Sequence, residues 1–149
     1  RHYMQDLKEQ GNYRIRLTDK LELGGQFFGD FADEYPTSNT IKNTFRNEGY
    51  LLDPHTAVGR TVYTRYKQLM QDDTPTILAA TASPFKFPQD VLYAITRERR
   101  EDAFEAAAEL ARISGQQIPA QLEKLRQAPV RFADVLDKSQ MGDAILKNL

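Results

Sequence analysis

Cysteine is absent from the 149 residues, so neither a disulfide scaffold nor a thiolate metal site can be built. That composition fits a reducing, cytoplasmic setting. Histidine is scarce as well: His2 and His55 are the two present, far apart, and no metal-ligand spacing links them. No excess of one charge exists, with 20 Lys and Arg against 21 Asp and Glu and a net charge of −1. That balance argues against a nucleic-acid surface, where phosphates demand clustered cations. Where basic residues do bunch, in Arg97-Glu98-Arg99-Arg100-Glu101-Asp102, acids are interleaved, as on a solvated face or hinge. No apolar run approaches the ~18 residues of a membrane span. The start, Arg1-His2-Tyr3-Met4-Gln5-Asp6, has neither the apolar stretch of a signal peptide nor an initiator Met. The expectation is a chain that begins in mid-protein or has been processed. Repeats and low-complexity tracts are also lacking. What is there, 40% hydrophobic and 28% charged residues, describes an ordinary globular domain.

Periodicity and turn chemistry divide the chain into mostly helical pieces. Residues 1–10 read as the tail of a helix stopped by Gly11, Tyr13 to Leu17 as a short extended piece, and Thr18 as the cap of a helix through Gln26. Gly24, Gly25 and Gly29 loosen the stretch leading to the turn at Tyr35-Pro36. A helix is expected over about 37–47, with Ile41 and Phe45 on one face and Gly49 at its end. Tyr50 to Leu52 then suggest a very short strand. Asp53-Pro54 pairs an N-cap with a proline at the first helical position, opening a helix to about Asp72 with Val58, Val62, Tyr66 and Leu69 on one face. Ser83-Pro84 repeats that start for a helix carrying Phe85, Phe87, Val91, Leu92 and Ile95, which Pro88 kinks or delays. Further helices are expected over 101–113 and 119–127, and a last one near Phe132, Val135 and Leu136.

Between these lies Thr76-Ile77-Leu78-Ala79-Ala80-Thr81, apolar without alternation, the pattern of a parallel strand buried on both faces. Such a strand needs hydrogen-bonded neighbours on each side. One strong and two short strands cannot supply a complete doubly wound sheet. The expected class is therefore α/β, helix-rich, with a few parallel strands covered by helices and the sheet incomplete within this chain. Its exposed edge invites self-association.

Two stretches carry more than secondary structure. The first is Gly49-Tyr50-Leu51-Leu52-Asp53-Pro54-His55-Thr56-Ala57-Val58, and the second runs from Thr74-Pro75-Thr76 through Ala80-Thr81-Ala82-Ser83-Pro84-Phe85-Lys86-Phe87-Pro88. In this order and spacing they resemble the C-terminal portion of the threonine synthase family, well under half of a full member. The resemblance implies the tryptophan-synthase-like fold type II of pyridoxal-phosphate enzymes, with residues 1–97 as the α/β part holding both motifs and 98–149 as a helical extension. It also implies conversion of O-phospho-L-homoserine and water to L-threonine and phosphate, on pyridoxal 5′-phosphate as electron sink. The family's Schiff-base lysine motif and its Gly/Asn-rich phosphate loop do not occur in the sequence. Lys86 sits in a different motif, and Gly24-Gly25 lacks a strand–loop–helix setting. The chain alone is accordingly expected to be inactive and to need the remainder of the enzyme as partner.

Each singled-out residue has two readings. Thr81 ends the expected strand, where α/β sheets place their ligand crevice. The resemblance implies that its hydroxyl meets the pyridine nitrogen, whereas the plain alternative is a threonine satisfied by local backbone. Asp53 is either an N-cap or a catalytic group beside the substrate. His55, at a helix start whose dipole disfavours its cationic form, is either a proton-transfer group or a histidine packed on an aromatic ring. Thr56 either lines the substrate or caps the helix, and Lys86 either meets a phosphate or is simply solvated. Ser83 reads as an N-cap, and His2 as irrelevant to chemistry. Two other functions remain open: a related lyase or dehydratase acting on serine or threonine, and a non-catalytic helical binding module.

Overall fold

Four helices make the core of this computed structural model, which describes residues 2–24, 26–131 and 135–147. The expectations that involve Arg1, Gly25 and Phe132 lie outside those residues. In chain order the helices are α1 (His2–Gln10), α2 (Leu17–Gly24), α3 (Glu34–Glu48), α4 (Pro54–Met70), α5 (Pro88–Thr96), α6 (Ala103–Ser114), α7 (Ala120–Leu125) and α8 (Met141–Lys147). Short 3-10 turns at Pro84–Lys86 and Lys138–Gln140 precede α5 and α8.

Local chemistry sets the core helix boundaries. α3 begins before the expected turn, because Pro36 falls in its first turn, where a missing amide costs nothing. It stops at Gly49, whose φ of 68° suits glycine and whose N–H donates to the Phe45 carbonyl at 3.0 Å. α4 opens on Asp53, which accepts from the amides of His55 and Thr56. Ser83 accepts from the Phe85 amide at 3.2 Å to start the 3-10 turn, and Pro88 then delays the α-helix proper to α5. Asp102 caps α6 through the amides of Phe104 and Glu105, each at 2.8 Å.

Packing runs α4 against α3, α3 against α5, and α5 against α6. Ile41 from α3, Leu51 and Leu52 from the connection, Ala57, Phe85, Val91 and Leu110 fill the space between. Ala94, Ala106 and Ala107 keep α5 and α6 close. α1, α2, α7 and α8 contribute no fully buried residue, though Ile118 and Leu122 of the α7 region pack partly buried against the core.

The strand expectations fail. Among the described residues there is no strand: 13–16, 50–53 and 71–83 are coil, and the Thr76–Thr81 run is exposed throughout, Ile77 by 96%. The reason is the one that made the sheet look incomplete. A strand is stable only when neighbours take its amides and carbonyls, and the described residues supply none, so the run leaves its backbone to water. The α/β class thus reduces here to an all-helical unit bearing one exposed apolar run. At the C-terminal end, Val135 and Leu136 are exposed coil rather than helix, and α8 forms later, at Met141, where no helix is expected.

Candidate functional site

The first motif makes a buried turn at the head of α4. Asp53 is 2% exposed and its two oxygens are fully engaged. Oδ1 accepts from the His55 amide at 3.0 Å and the Thr56 amide at 3.3 Å, and Oδ2 accepts a short bond from the Thr56 hydroxyl. The capping reading of Asp53 is therefore seen directly. Its carboxylate also lies 3.4 Å from His55 Nδ1. Thr56 is buried with its hydroxyl turned inward to Asp53.

His55 faces outward, its side chain 70% exposed. Its ring packs against Phe87 of the second motif, centroids 4.9 Å apart. The imidazole is held on one side by a buried carboxylate and on another by an aromatic face, and keeps an edge free for a ligand.

The second motif is brought back along α4. A Cβ added at Gly59 would stand 3.1 Å from Leu78 Cδ2, so the apolar run lies close against α4 there. Thr81 is thus bracketed in sequence between two contacts on the first part of α4, Leu78 on Gly59 and Phe87 on His55. Four residues of helix separate those anchors, only ~6 Å along the axis. Thr81 is exposed, and its hydroxyl has no hydrogen bond among the described residues. Thr61, Thr64 and Thr96, by contrast, each donate to the carbonyl four residues earlier at 2.9 Å. Lys86, exposed in the 3-10 turn, has no carboxylate partner among the described residues.

No crevice of the kind expected at a strand end forms around these groups. The open clefts lie elsewhere. One of about 380 Å³ runs between Gly24, Gln26, Phe27 and Phe28 and the Gly59–Met70 face of α4, and another of about 520 Å³ lies between the start of α3 and the end of α5. Neither is lined by His55, Thr56, Thr81 or Lys86. The crevice expectation fails for the same reason as the sheet, because its opposite wall is not in these residues.

Three contributors escaped the sequence reading: Gly59, Phe87 as the partner of His55, and Asp72. A glycine in mid-helix costs ~1 kcal/mol relative to alanine, which is itself a sign of close approach. Asp72 before Asp73-Thr74 is a turn-former whose side chain bonds the amide two residues on, here Thr74 N–H at 2.9 Å.

Comparison with known proteins agrees with the motifs. Residues 56–145 match the family model described as threonine synthase, C-terminal. The human protein threonine synthase-like 1 is 33% identical over 90 residues, 60% of this chain and 12% of that protein. Threonine synthase of Schizosaccharomyces pombe is 30% identical over 95 residues, 63% of this chain and 18% of that protein. Among solved structures, a PLP-bound threonine synthase from Brucella melitensis superposes with a TM-score of 0.65 over 99% of this chain at 24% identity, using 27% of its own chain. The fold is thus that of one part of a larger enzyme, and this chain spans well under a third of each relative.

Proposed function

The chain belongs to the threonine synthase family, as its C-terminal part, and from that premise we propose that it forms one wall of a site converting O-phospho-L-homoserine and water to L-threonine and phosphate. The observation that carries this is the ring contact between His55 and Phe87, which joins the two motifs at the head of α4. That contact sets Thr81 and Lys86 of the second motif close in sequence to the residue that meets His55.

The donor set suits pyridoxal phosphate. Thr81 offers a hydroxyl not engaged by its own backbone, able to donate to a pyridine nitrogen or to accept from its protonated form. Lys86 offers a positive charge for a phosphate of cofactor or substrate. When bound, the cofactor supplies an electron sink for carbanions next to its ring. The chain's own residues do the rest on this side: His55 holds or moves a proton at its free ring edge, and Asp53 fixes that ring while capping α4. Thr56, tied inward by its amide and hydroxyl to Asp53, maintains the turn. Residues 1–97 carry these groups, and 98–149 brace α5 through α6.

The covalent lysine and the phosphate loop come, in this reading, from polypeptide outside the 149 residues, so the chain alone is inactive. It works in the cytoplasm on a small-molecule substrate. A second threonine synthase segment supplies the β-neighbours that residues 76–81 lack, and without it the run pairs with another copy. The test is to produce the full-length protein and measure phosphate release from O-phosphohomoserine together with the cofactor's visible absorbance. Absence of both sinks the proposal. Release of ammonia from serine or threonine instead of phosphate selects the dehydratase reading.

A further inference from the structure

The apolar run has no ladder to guide it, yet its course along α4 is fixed at both ends. At the far end, the chain reverses through Gln71, whose φ is 52° and whose N–H donates to the Lys67 carbonyl at 2.9 Å. Asp72 then staples the exit: Tyr66 Oη donates to its Oδ2 at 2.7 Å and the Thr74 N–H to its Oδ1 at 2.9 Å. The Tyr66 ring is itself steadied edge-on by Phe28 at 5.1 Å. At the near end, Leu78 lies over the bare backbone of Gly59.

We propose that Tyr66, Asp72 and Gly59 are positioning residues that align residues 74–81 along α4 and so set where the Thr81 hydroxyl is presented. This rests on the reading that Thr81 serves the cofactor ring. The lengths agree. Gly59 and Tyr66 are seven residues apart on one face of the helix, ~10.5 Å along its axis. From Thr74 to Leu78, four extended residues span ~13 Å. Little slack remains, so a shift at either pin moves Thr81. Because no sheet neighbour is needed for these contacts, the alignment precedes any docking of the run into a sheet.

The chain's lack of cysteine makes a single Ala80→Cys spin label unique. With the label in place, amide signals of residues 57–60 should be broadened. Asp72→Ala should abolish that broadening, and Tyr66→Phe, which keeps the ring on Phe28 but removes the donor, should weaken it. Gly59→Leu should abolish it too, and adding Leu78→Ala should restore it. Unchanged methyl signals of Ile41 and Leu110 establish that the core is folded, and if Asp72→Ala unfolds, Tyr66→Phe decides. Broadening that survives both Tyr66→Phe and Gly59→Leu overturns the proposal. A separate arm keeps the two ideas apart: if Thr81→Val in the full-length protein leaves cofactor affinity and absorbance unchanged, the cofactor reading fails while the alignment stands.

Discussion

The helical core and the apolar run divide the chain's hydrophobic residues in opposite ways. In α3 to α6 the buried positions include small side chains, Ala57, Ala94, Ala106 and Ala107, together with Ile41, Leu92 and Leu110. In residues 76–81, which contain no charge and no break, everything is exposed. Apolar content alone does not decide burial. Helices satisfy their own backbone and can pack with whatever face they have, whereas an extended segment must find partners for its amides before its side chains can be covered. The first kind of structure survives separation from the rest of a protein, and the second waits.

The largest effect that tests this contrast is in the core. Leu110→Ala should cost ~2–5 kcal/mol in urea unfolding of this chain, while Ile77→Ala should stay within ~0.5 kcal/mol. Equal effects would mean the run is already buried. Next, Asp53→Ala should cost ~1–2 kcal/mol, through loss of the cap on α4. Asp33→Ala, at the start of α3, should cost much less, because that carboxylate makes no capping bond. A smaller effect concerns association. Ile77→Lys should reduce the concentration-dependent mass seen by sedimentation, since an edge lysine blocks strand pairing; a strictly monomeric parent would remove the basis for that change.

The smallest effect is electrostatic and local. Hydrogen bonds from the Thr74 side chain, the Tyr66 hydroxyl and the Thr74 amide hold the Asp72 carboxyl down to about 2 from its ordinary 3.8. A depressed carboxyl stabilises the fold above its unfolded value and ceases to do so as pH falls through the folded one. The staple should therefore be intact at pH 5 and released toward pH 2, visible in the Asp72 carboxyl carbon shift and the Thr74 amide. Tyr66→Phe should raise the titration midpoint. A parent titrating at the ordinary value would show that the staple is not formed.

Much of this was legible in the residues. Asp53-Pro54 and Ser83-Pro84 mark starts by capping chemistry that acts within three residues: the first opens α4 where expected, and the second opens a 3-10 turn, with Pro88 delaying the α-helix to α5. The motif pair pointed to the family for the same reason, because it is local and ordered. What failed depended on absent partners. Thr76 to Thr81 reads as a buried strand because its composition was shaped for a sheet, but composition cannot supply the neighbours. The 71–83 exit path was invisible because it depends on a tyrosine five residues before the turn and a glycine two helical turns back. Thr81 itself was legible as a candidate, and its unengaged hydroxyl leaves the cofactor role open where a local carbonyl would have closed it.

Arg97 ends α5 with a φ of 67°, unusual for a side chain that large, while its guanidinium reaches Ser38 at 2.9 Å and Asn39 at 3.3 Å on α3. One residue thus both stops a helix and latches it to another nearly sixty positions earlier. Arg97→Gly would relieve the backbone but drop the clasp, so the conformational cost comes with holding α5 against α3.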